Sequence, residues 1–390
     1  MKRLFIAFAI LLCGIFTACT GSSTGPAASG GDTVALSYAR HLTIVKYDGY
    51  TVVKLIDPWN EGKTLHTYAL VPKGRKGDDL TTRMAGLAGK EATVVVRTPI
   101  ERSVVFTTVH CALLYDLKAE QAISGVCDLK YIDIPDVQRR TAAPLSKANP
   151  HPIVDCGNGM SADVEKIIDL KPQALLISPF ENSGGYGKLE EINIPIIETA
   201  DYMETSALGR AEWMKFYGML YGKEKEAEAL FEKVDRNYQT LKATAAHSKV
   251  SRSVITEKKT GSVWYVPGGK SVIGEMLKDA GAHYPFAGDT HSGSISLPFE
   301  TVLDKAGEAD VWLYKYNEHP ATLQELLAEY HGYKELKAFH TGMVFACDCT
   351  RRPYFEEVSF HPDRLLSDII QIVHPDIAGF APMHYYEKLR

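Results

Sequence analysis

The sequence predicts an α/β protein built from two lobes with a long helix between them. From Ser103 onward, short apolar runs alternate with segments of helical spacing, which is typical of parallel strands covered by helices. A helical pattern then occupies residues 206–247. Beyond it the strand and helix rhythm returns at Ser253, so we expect a second α/β lobe.

The amino terminus predicts a signal peptide at residues 1–18. Lys2 and Arg3 precede an apolar run, residues 4–16, which is too short to span a membrane comfortably. Residues 16–19 (Phe-Thr-Ala-Cys) resemble a bacterial lipobox, with Phe where Leu is usual, and this resemblance implies that Cys19 carries a lipid. The alternative is an ordinary secreted protein whose Cys19 leaves with the signal.

Residues 19–32 predict a lipidated, flexible tether, because Gly, Ser, Ala and Pro dominate the stretch. No acidic residue directly follows Cys19, which favours a periplasm-facing anchor over surface export. We therefore expect a periplasm-facing, membrane-anchored lipoprotein. The sequence leaves open whether the inner or the outer membrane holds the lipid.

Composition indicates an ordinary globular protein. The chain has 390 residues, of which 45% are hydrophobic and 23% charged, enough apolar material for two sizeable cores. Its formal net charge of −5 provides no basic field for nucleic acid. Nothing after the signal peptide has the pattern of a second transmembrane run. We expect two or three domains and no nucleic-acid partner.

The cysteines beyond Cys19 form an odd set in an oxidising compartment, so at least one thiol is expected to be unpaired. Cys347 and Cys349 flank one residue, but no His or Cys lies around them at zinc-finger spacing. We therefore expect a structural or disulfide role and no metal site, with the pairing left open. The set is Cys111, Cys127, Cys156, Cys347 and Cys349.

Residues 33–98 predict a small β-rich elaboration. Apolar and polar residues alternate between Val34 and Val71, and Asp48-Gly49 is typical of a hairpin turn. Residues 99–205 then predict an amino-terminal α/β lobe. Residues 206–247 form a helical connector, in which Gly222 indicates a helix end and residues 223–247 carry apolar positions at helical spacing. That helix is long enough to tie two lobes together.

Residues 248–390 predict a carboxy-terminal α/β lobe. A similar sequence pattern in both lobes favours an origin of the two lobes by duplication. In each lobe a helix begins next to a glutamate, Glu165 or Glu300, and leads to a buried strand. This repeated pattern is weak evidence for duplication by itself, because a helix followed by a strand is common.

Enzyme motifs are missing from the sequence. Residues 157–162 superficially match a dinucleotide fingerprint, but the final Gly is absent and a Gly-rich turn with Ser161 as helix N-cap explains them. No nucleophile elbow, His-Glu-x-x-His motif or phosphate-binding loop occurs, and the histidines fall in different segments. We expect no enzyme, no catalytic residue and no cofactor; a secreted metal-dependent hydrolase is the less favoured alternative.

Aromatic and cationic residues follow the predicted strands, where open α/β sheets bind ligands. Arginines can pair with carboxylates, catecholates or hydroxamates around an iron centre, while aromatic faces cover rings. Structural packing is the alternative for each aromatic and for His110. The predicted ligand-binding residues are His110, Tyr186, Trp264, Tyr316, Arg351, Arg352 and Tyr354, with Phe180 and Asn182 nearby.

Three passages resemble the substrate-binding proteins of ABC importers for metal chelates. They are residues 99–110 (Pro-Ile-Glu-Arg-Ser-Val-Val, then Thr-Thr-Val-His), residues 209–228 (Gly-Arg-Ala-Glu-Trp, then Gly-Lys-Glu-Lys-Glu-Ala-Glu) and residues 353–364 (Pro-Tyr-Phe-Glu-Glu, then Phe-His-Pro-Asp-Arg). The resemblance covers roughly residues 99–375. It implies two Rossmann-like lobes joined by a long rigid helix, the class III periplasmic binding protein architecture, with the ligand held between the lobes.

The resemblance also implies that one glutamate of each lobe docks to a two-subunit permease, and Glu165 and Glu300 match those positions. A helix-dipole role is the alternative for both. The double arginine favours an anionic iron chelate, in particular a ferric siderophore, over the cobalamin or haem of related proteins. An axial haem ligand would have to come from a residue such as Tyr316 or His110.

Overall fold

A computed structural model describes residues 31–74, 93–181 and 185–390. The predicted signal peptide, Cys19, nearly all of the tether and Asn182 lie outside the described residues. Within the described part, the α/β class and the two-lobed architecture are confirmed, and each lobe contains a parallel sheet.

The amino-terminal sheet orders its strands β1-β2-β3-β4-β5. Asp48 and Gly49 connect β2 to β3 as a two-residue turn, and Gly49 has a φ of 92°, a conformation that favours glycine. β1 to β4 are antiparallel, whereas β5 joins β4 in parallel. The strands are β1 (Asp32–Thr33), β2 (Leu42–Tyr47), β3 (Tyr50–Ile56), β4 (Thr64–Pro72) and β5 (Thr93–Thr98).

The amino-terminal lobe has a parallel sheet in the order β12-β11-β6-β7-β8. Its elements are β6 (Ser103–Val105), α1 (Thr108–Asp116), β7 (Ile123–Val126), α2 (Pro135–Ala142), β8 (Val154–Asp155), β9 (Gly157–Asn158), β10 (Ser161–Ala162), α3 (Val164–Leu170), β11 (Ala174–Ile177), α4 (Lys188–Glu191) and β12 (Ile196–Glu198). Short 3₁₀ turns lie at Glu120–Ala122, Leu129–Tyr131 and Asp201–Met203.

The glycine-rich passage differs from its prediction. Residues 157–162 form the antiparallel β9–β10 hairpin, and Ser161 lies in a strand instead of capping a helix. Asp163 is the N-cap of α3, because its side chain accepts a hydrogen bond of 3.1 Å from the backbone N–H of Lys166.

The helical connector consists of α5 (Ala207–Glu212), α6 (Met214–Tyr221) and α7 (Glu224–Ala245). Gly222, with a φ of 65°, ends α6 as predicted. α7 has 22 residues and is therefore roughly 33 Å long. Its apolar side chains, including Phe231 and Val234, are buried. It packs against α6 and against the helix Pro362–Val373 of the carboxy-terminal lobe.

The carboxy-terminal lobe has one sheet in the order β13-β17-β18-β19, parallel except for β19, and an antiparallel sheet β14-β15-β16. Its elements are β13 (Val254–Thr256), β14 (Lys259–Thr260), β15 (Val263–Pro267), α8 (Val272–Asp279), β16 (Ser294–Leu297), α9 (Phe299–Ala306), β17 (Val311–Tyr316), α10 (Leu323–Glu329), α11 (Lys337–His340), β18 (Val344–Asp348), α12 (Tyr354–Glu357), α13 (Pro362–Val373) and β19 (Glu387–Lys388), with a 3₁₀ turn at His331–Glu335.

Within the described part of the chain, two hydrogen-bonded contacts join α1 to the carboxy-terminal lobe. Thr108 at the start of α1 donates a hydrogen bond to Glu356 of α12, and His361 pairs with Asp116 at the end of α1. Along the described ranges, no helix combines the length and the apolar character needed to cross a membrane.

Candidate functional site

A cavity of about 500 Å³ opens at the carboxyl ends of the strands in the amino-terminal lobe. Parallel strands end at the same edge of their sheet, so the segments after β6, β7 and β11 meet there. The β9–β10 hairpin and the segment leading into α4 complete the wall. The side chains that line it include Phe106, Asp128, Met160, Phe180, Tyr186 and Lys188.

The cavity presents apolar side chains to solvent. Met160 is 78% exposed and Phe180 is 46% exposed, although large apolar residues normally gain free energy by burial. Phe106 lies deeper, at 8% exposure. Such a set favours a ligand with an apolar or aromatic surface that covers these side chains on binding.

Asp128 holds one wall in place. It follows β7 with a φ of 53°, in the left-handed region that non-glycine residues rarely occupy. Its carboxylate accepts a hydrogen bond of 3.0 Å from the backbone N–H of Gly159, and its own N–H donates to the carbonyl of Gly157 at 2.7 Å. Asp128 therefore fixes the hairpin that carries Met160, and such backbone strain recurs at functional sites.

Tyr186 is linked to the amino-terminal sheet through Glu198. Its hydroxyl donates to the carboxylate of Glu198, which is 7% exposed and also pairs with His66 of β4. Tyr68, two residues along β4, accepts a hydrogen bond of 2.9 Å from the Glu198 N–H. The β-rich elaboration thus supports the cavity wall through β4 without lining the cavity.

The carboxy-terminal lobe contacts, through α12, the residue that follows Thr107 of the cavity. Thr107 lines the cavity, and the adjacent Thr108 donates the 3.0 Å hydrogen bond to Glu356. Phe355, which precedes Glu356, is 52% exposed. Arg351 lies three residues before α12, is exposed, and has no ion-pair partner among the residues that the structure describes. This part of the second lobe thus carries one exposed aromatic and one exposed cationic side chain near the contact with Thr108.

A paired charge lies at the strand ends of the second lobe. Glu257 follows β13 with a φ of 64° and pairs with Lys315 of β17. The Lys315 ammonium also lies 5.3 Å from the centre of the Tyr354 ring. Burial raises the pKa of Tyr354 to about 12, so its phenol stays protonated at neutral pH. Because Lys315 already has a carboxylate partner, it adds little free positive charge to the cleft.

Comparison with known proteins identifies the family. The periplasmic binding protein family model matches residues 110–349, which is well over half of the chain. The chain belongs to this family. Its members are substrate-binding components of ABC transporters, and not enzymes.

Relatives and solved structures agree with that assignment. An uncharacterised lipoprotein of Methanocaldococcus jannaschii is 26% identical over 365 residues, covering 91% of this chain and 86% of the relative. A periplasmic haem-binding protein from Pseudomonas aeruginosa superposes with a TM-score of 0.56 at 15% identity, covering 75% of this chain and 99% of that one. An ABC-type Fe³⁺-hydroxamate transport protein from Saccharomonospora viridis gives a TM-score of 0.52 at 16% identity, with 70% and 93% coverage. The last two similarities show the fold.

Two predicted ligand residues of this periplasmic binding protein lie in the core, and those predictions are corrected here. His110 is fully buried, with its Nε2 atom 3.3 Å from Asp201 and 3.4 Å from Thr199. Trp264 is fully buried too, and its indole N–H donates to the carbonyl of Thr256 at 2.8 Å. Neither side chain has surface to offer a ligand, because tertiary packing covers both.

The two predicted ligand arginines, Arg351 and Arg352, lie in different environments. Arg352 forms an ion pair with Glu387, and together with Tyr316 it lines a separate cavity of about 860 Å³ beside the carboxy-terminal segment. Arg351 is exposed instead. Tyr354 is 7% exposed beside Lys315, so it too belongs mainly to the packing of its lobe. Of the predicted ligand residues, Tyr186 alone lines the cavity of the amino-terminal lobe.

The two predicted docking glutamates lie in equivalent places. Glu165 and Glu300 are each in the first turn of a helix, α3 or α9, and both are exposed. In the ranges described, neither has an ion-pair partner. No group of three or more potential metal-ligating side chains occurs in those ranges either.

Sequence reasoning missed Asp128, Met160, Lys188 and Phe355. A strand followed by a lone acidic residue, or an apolar residue in a glycine-rich hairpin, carries no pattern that separates it from ordinary turn residues. The exposed position of Met160 and the left-handed backbone of Asp128 become visible only in the folded chain.

Proposed function

We propose that this periplasmic binding protein captures an iron chelate of the ferric siderophore class and delivers it, unchanged, to an ABC importer. The observation that carries the proposal is the composition of the cleft. The exposed Met160 and Phe180 line the cavity of the amino-terminal lobe together with Lys188, a cation without an ion-pair partner in the described residues. In the second lobe, Phe355 and Arg351, which is unpaired within the same ranges, are exposed near Glu356, which contacts Thr108 beside this cavity. A ferric siderophore combines a bulky, partly apolar framework with an anionic metal centre.

The charge of the site favours an anionic chelate over a corrinoid. An ammonium or guanidinium that is free to form charge-assisted hydrogen bonds contributes more to binding an anion than a neutral ligand. Arg351 replaces the double arginine as the cationic group of the second lobe, since Arg352 is paired with Glu387. The fold shared with a Fe³⁺-hydroxamate transport protein is consistent with this choice.

Haem is the second candidate, because the fold is also shared with a haem-binding protein. An axial ligand to haem iron is normally a His, Tyr, Met or Cys side chain. His110 is buried, and Tyr316 lines the other cavity, so neither fits the role expected for it. Met160 and Tyr186 are the cavity residues of a suitable type, and the Tyr186 hydroxyl already donates a hydrogen bond to Glu198.

Delivery and anchoring complete the proposal. Glu165 and Glu300 project from one helix of each lobe, an arrangement that suits docking to two permease subunits. The lipoprotein relative supports an anchor through a lipid on Cys19 after removal of residues 1–18.

Binding titrations test the proposal. The protein is titrated with a ferric tris-catecholate, haemin and cyanocobalamin, and then remeasured after Lys188→Gln plus Arg351→Gln. We expect the anionic ferric probe to bind most tightly and the double variant to weaken it by about ten- to a hundredfold, as for loss of charge-assisted hydrogen bonds. Lys233→Gln plus Arg236→Gln, two exposed positions on α7, is the matched control. Tightest binding of cyanocobalamin, or equal losses for both double variants, contradicts the proposal.

A further inference from the structure

Two cysteines of the carboxy-terminal lobe lie side by side. Cys347 is in β18 and Cys349 follows the end of that strand, with one residue between them. Their Sγ atoms are 4.0 Å apart, and both thiols are buried, at 0% and 6% exposure. The backbone N–H of Cys349 donates to the carbonyl of Tyr316 at 2.8 Å, which holds the second thiol against the neighbouring strand.

A cation that is already paired with a carboxylate, Lys315 with Glu257, lies beside the two thiols. Lys315 is the register partner of Cys347 on the adjacent strand, so its side chain lies on the same face. The hydrogen bond with Cys347 lowers the pKa of Cys349 below its ordinary value; burial opposes this shift and the Lys315 charge adds to it. The same contact and burial raise the pKa of Cys347. The contact between the two sulfur atoms, 4.0 Å apart, allows one thiol to keep its proton while the other loses it.

We propose that Cys347 and Cys349 form a redox-active dithiol that a peroxide converts into a disulfide. The Cys349 thiolate attacks one oxygen of hydrogen peroxide, an S–O bond forms, the O–O bond breaks, and hydroxide leaves and takes up a proton. Cys347 then attacks the sulfur of the sulfenic acid, an S–S bond forms, the S–O bond breaks, and a second water is released. The two thiols lose two electrons and two protons, and the peroxide is reduced to two waters.

The geometry allows this closure with a small movement. A disulfide needs its sulfur atoms about 2 Å apart, so the two Sγ atoms have to approach by about 2 Å. Hydrogen peroxide is much smaller than a protein disulfide, and Cys349, at 6% residue exposure, is the less buried of the two cysteines. The loop between Cys349 and α12 carries the exposed Arg351, so the bond forms at one end of this loop.

Differential alkylation tests the proposal without any ligand. The reduced full chain is treated with hydrogen peroxide, denatured, alkylated with iodoacetamide and mapped by mass spectrometry. We expect the peptide with Cys347 and Cys349 to escape alkylation, to be lighter by two hydrogen atoms, and to become alkylated again after dithiothreitol. Cys111, whose pKa burial raises to about 12, and the buried Cys127 and Cys156 should be alkylated throughout.

Single variants check the order of the two steps. In Cys347→Ser the oxidation should stop at a sulfenic acid on Cys349 that dimedone traps, whereas in Cys349→Ser the remaining thiol should stay reduced. Full alkylation of both residues in the treated wild-type chain overturns the proposal. Equal oxidation of the five buried cysteines, 111, 127, 156, 347 and 349, overturns it as well, since that result indicates unfolding in place of a reactive pair.

Discussion

The Oγ1 atom of Thr108 donates a hydrogen bond of 3.0 Å to the Oε1 atom of Glu356, and this bond crosses from one lobe to the other. Thr108 lies in the first turn of α1, next to the cavity residue Thr107, while Glu356 lies in α12 beside the exposed Phe355. Burial raises the pKa of Glu356, whose side chain is 6% exposed. The contact therefore fixes one edge of the cleft in an environment where a lost partner is costly.

Thr108→Val should destabilise the protein because it removes the donor and keeps the side-chain shape. A buried carboxyl that loses a partner costs about 1–3 kcal/mol. Urea unfolding measures the change. Thr240→Val on the exposed side of α7, which also removes a hydroxyl donor, is the control and should have a smaller effect. Equal effects of the two variants would show that the interlobe bond contributes nothing beyond a surface hydroxyl.

Glu198→Gln should weaken binding of the ferric tris-catecholate by roughly tenfold, which corresponds to about 1.4 kcal/mol. A single amide oxygen cannot replace a carboxylate that Tyr186 and His66 contact together, so the Tyr186 ring loses its fixed position. Tyr186→Phe should give a comparable loss in the same titration. Tyr131→Phe, a tyrosine that is 63% exposed outside this network, should leave the affinity unchanged. Unchanged affinity in all three variants is the contrary result.

Glu165→Ala combined with Glu300→Ala should abolish delivery and leave capture intact. Exposed carboxylates contribute little to folding, whereas a carboxylate that pairs with an arginine in a permease interface is worth roughly 2–5 kcal/mol on truncation. Uptake into vesicles that contain the cognate permease is measured beside ligand binding, and substitution by Lys should be worse than Ala. Asp169→Ala with Asp304→Ala, at the other ends of the same helices, is the control. Joint loss of binding and uptake would place these glutamates in the fold.

Glu357 should support stability in a manner that acid removes. Burial alone would raise its pKa, but hydrogen bonds from His384 and Arg364 lower it to about 2 from the ordinary 4.5. A carboxyl with a lowered pKa in the folded state stabilises the protein above its unfolded pKa, and that contribution disappears as the pH falls from about 5 toward 2. The wild-type advantage over Glu357→Gln in free energy of unfolding, up to about 3 kcal/mol at pH 6, should therefore shrink over this range.

Glu232→Gln serves as the control for this pH series, because Glu232 is an exposed residue of α7. Its effect should be small at every pH. A difference between wild type and Glu357→Gln that stays constant between pH 6 and pH 3 would contradict the assigned shift.

Cys19→Ala should release the protein from membranes. The proposed lipid on Cys19 supplies the membrane affinity, and the helices that the structure describes include none suited to crossing a bilayer. Fractionation of cells that express either form, followed by immunoblotting, measures the distribution. A variant that stays in washed membranes would exclude the anchor.

Local patterns in the sequence were sufficient for the architecture. Alternating polar and apolar residues, the Asp48-Gly49 turn and the Gly222 helix end are decided by interactions within a few residues, and the structure agrees with each prediction. The long connector helix was also predicted, because the apolar face of α7 repeats at helical spacing. The strand β5 was not predicted, although its β-branched residues are a local strand signal, and its parallel pairing with β4 became visible only in the folded chain.

Tertiary structure decided which of the predicted site residues can reach a ligand. Strand ends, aromatic residues and cations are visible in a sequence, but burial and pairing depend on segments far apart in the chain. Trp264 is covered by Phe299 and Trp312, and Arg352 is paired with a residue 35 positions away, Glu387. Tyr186 lines the cavity because its hydroxyl bonds to Glu198, which the first sheet in turn holds in place. Propensity and periodicity act along the chain, whereas the site is formed by packing between distant segments.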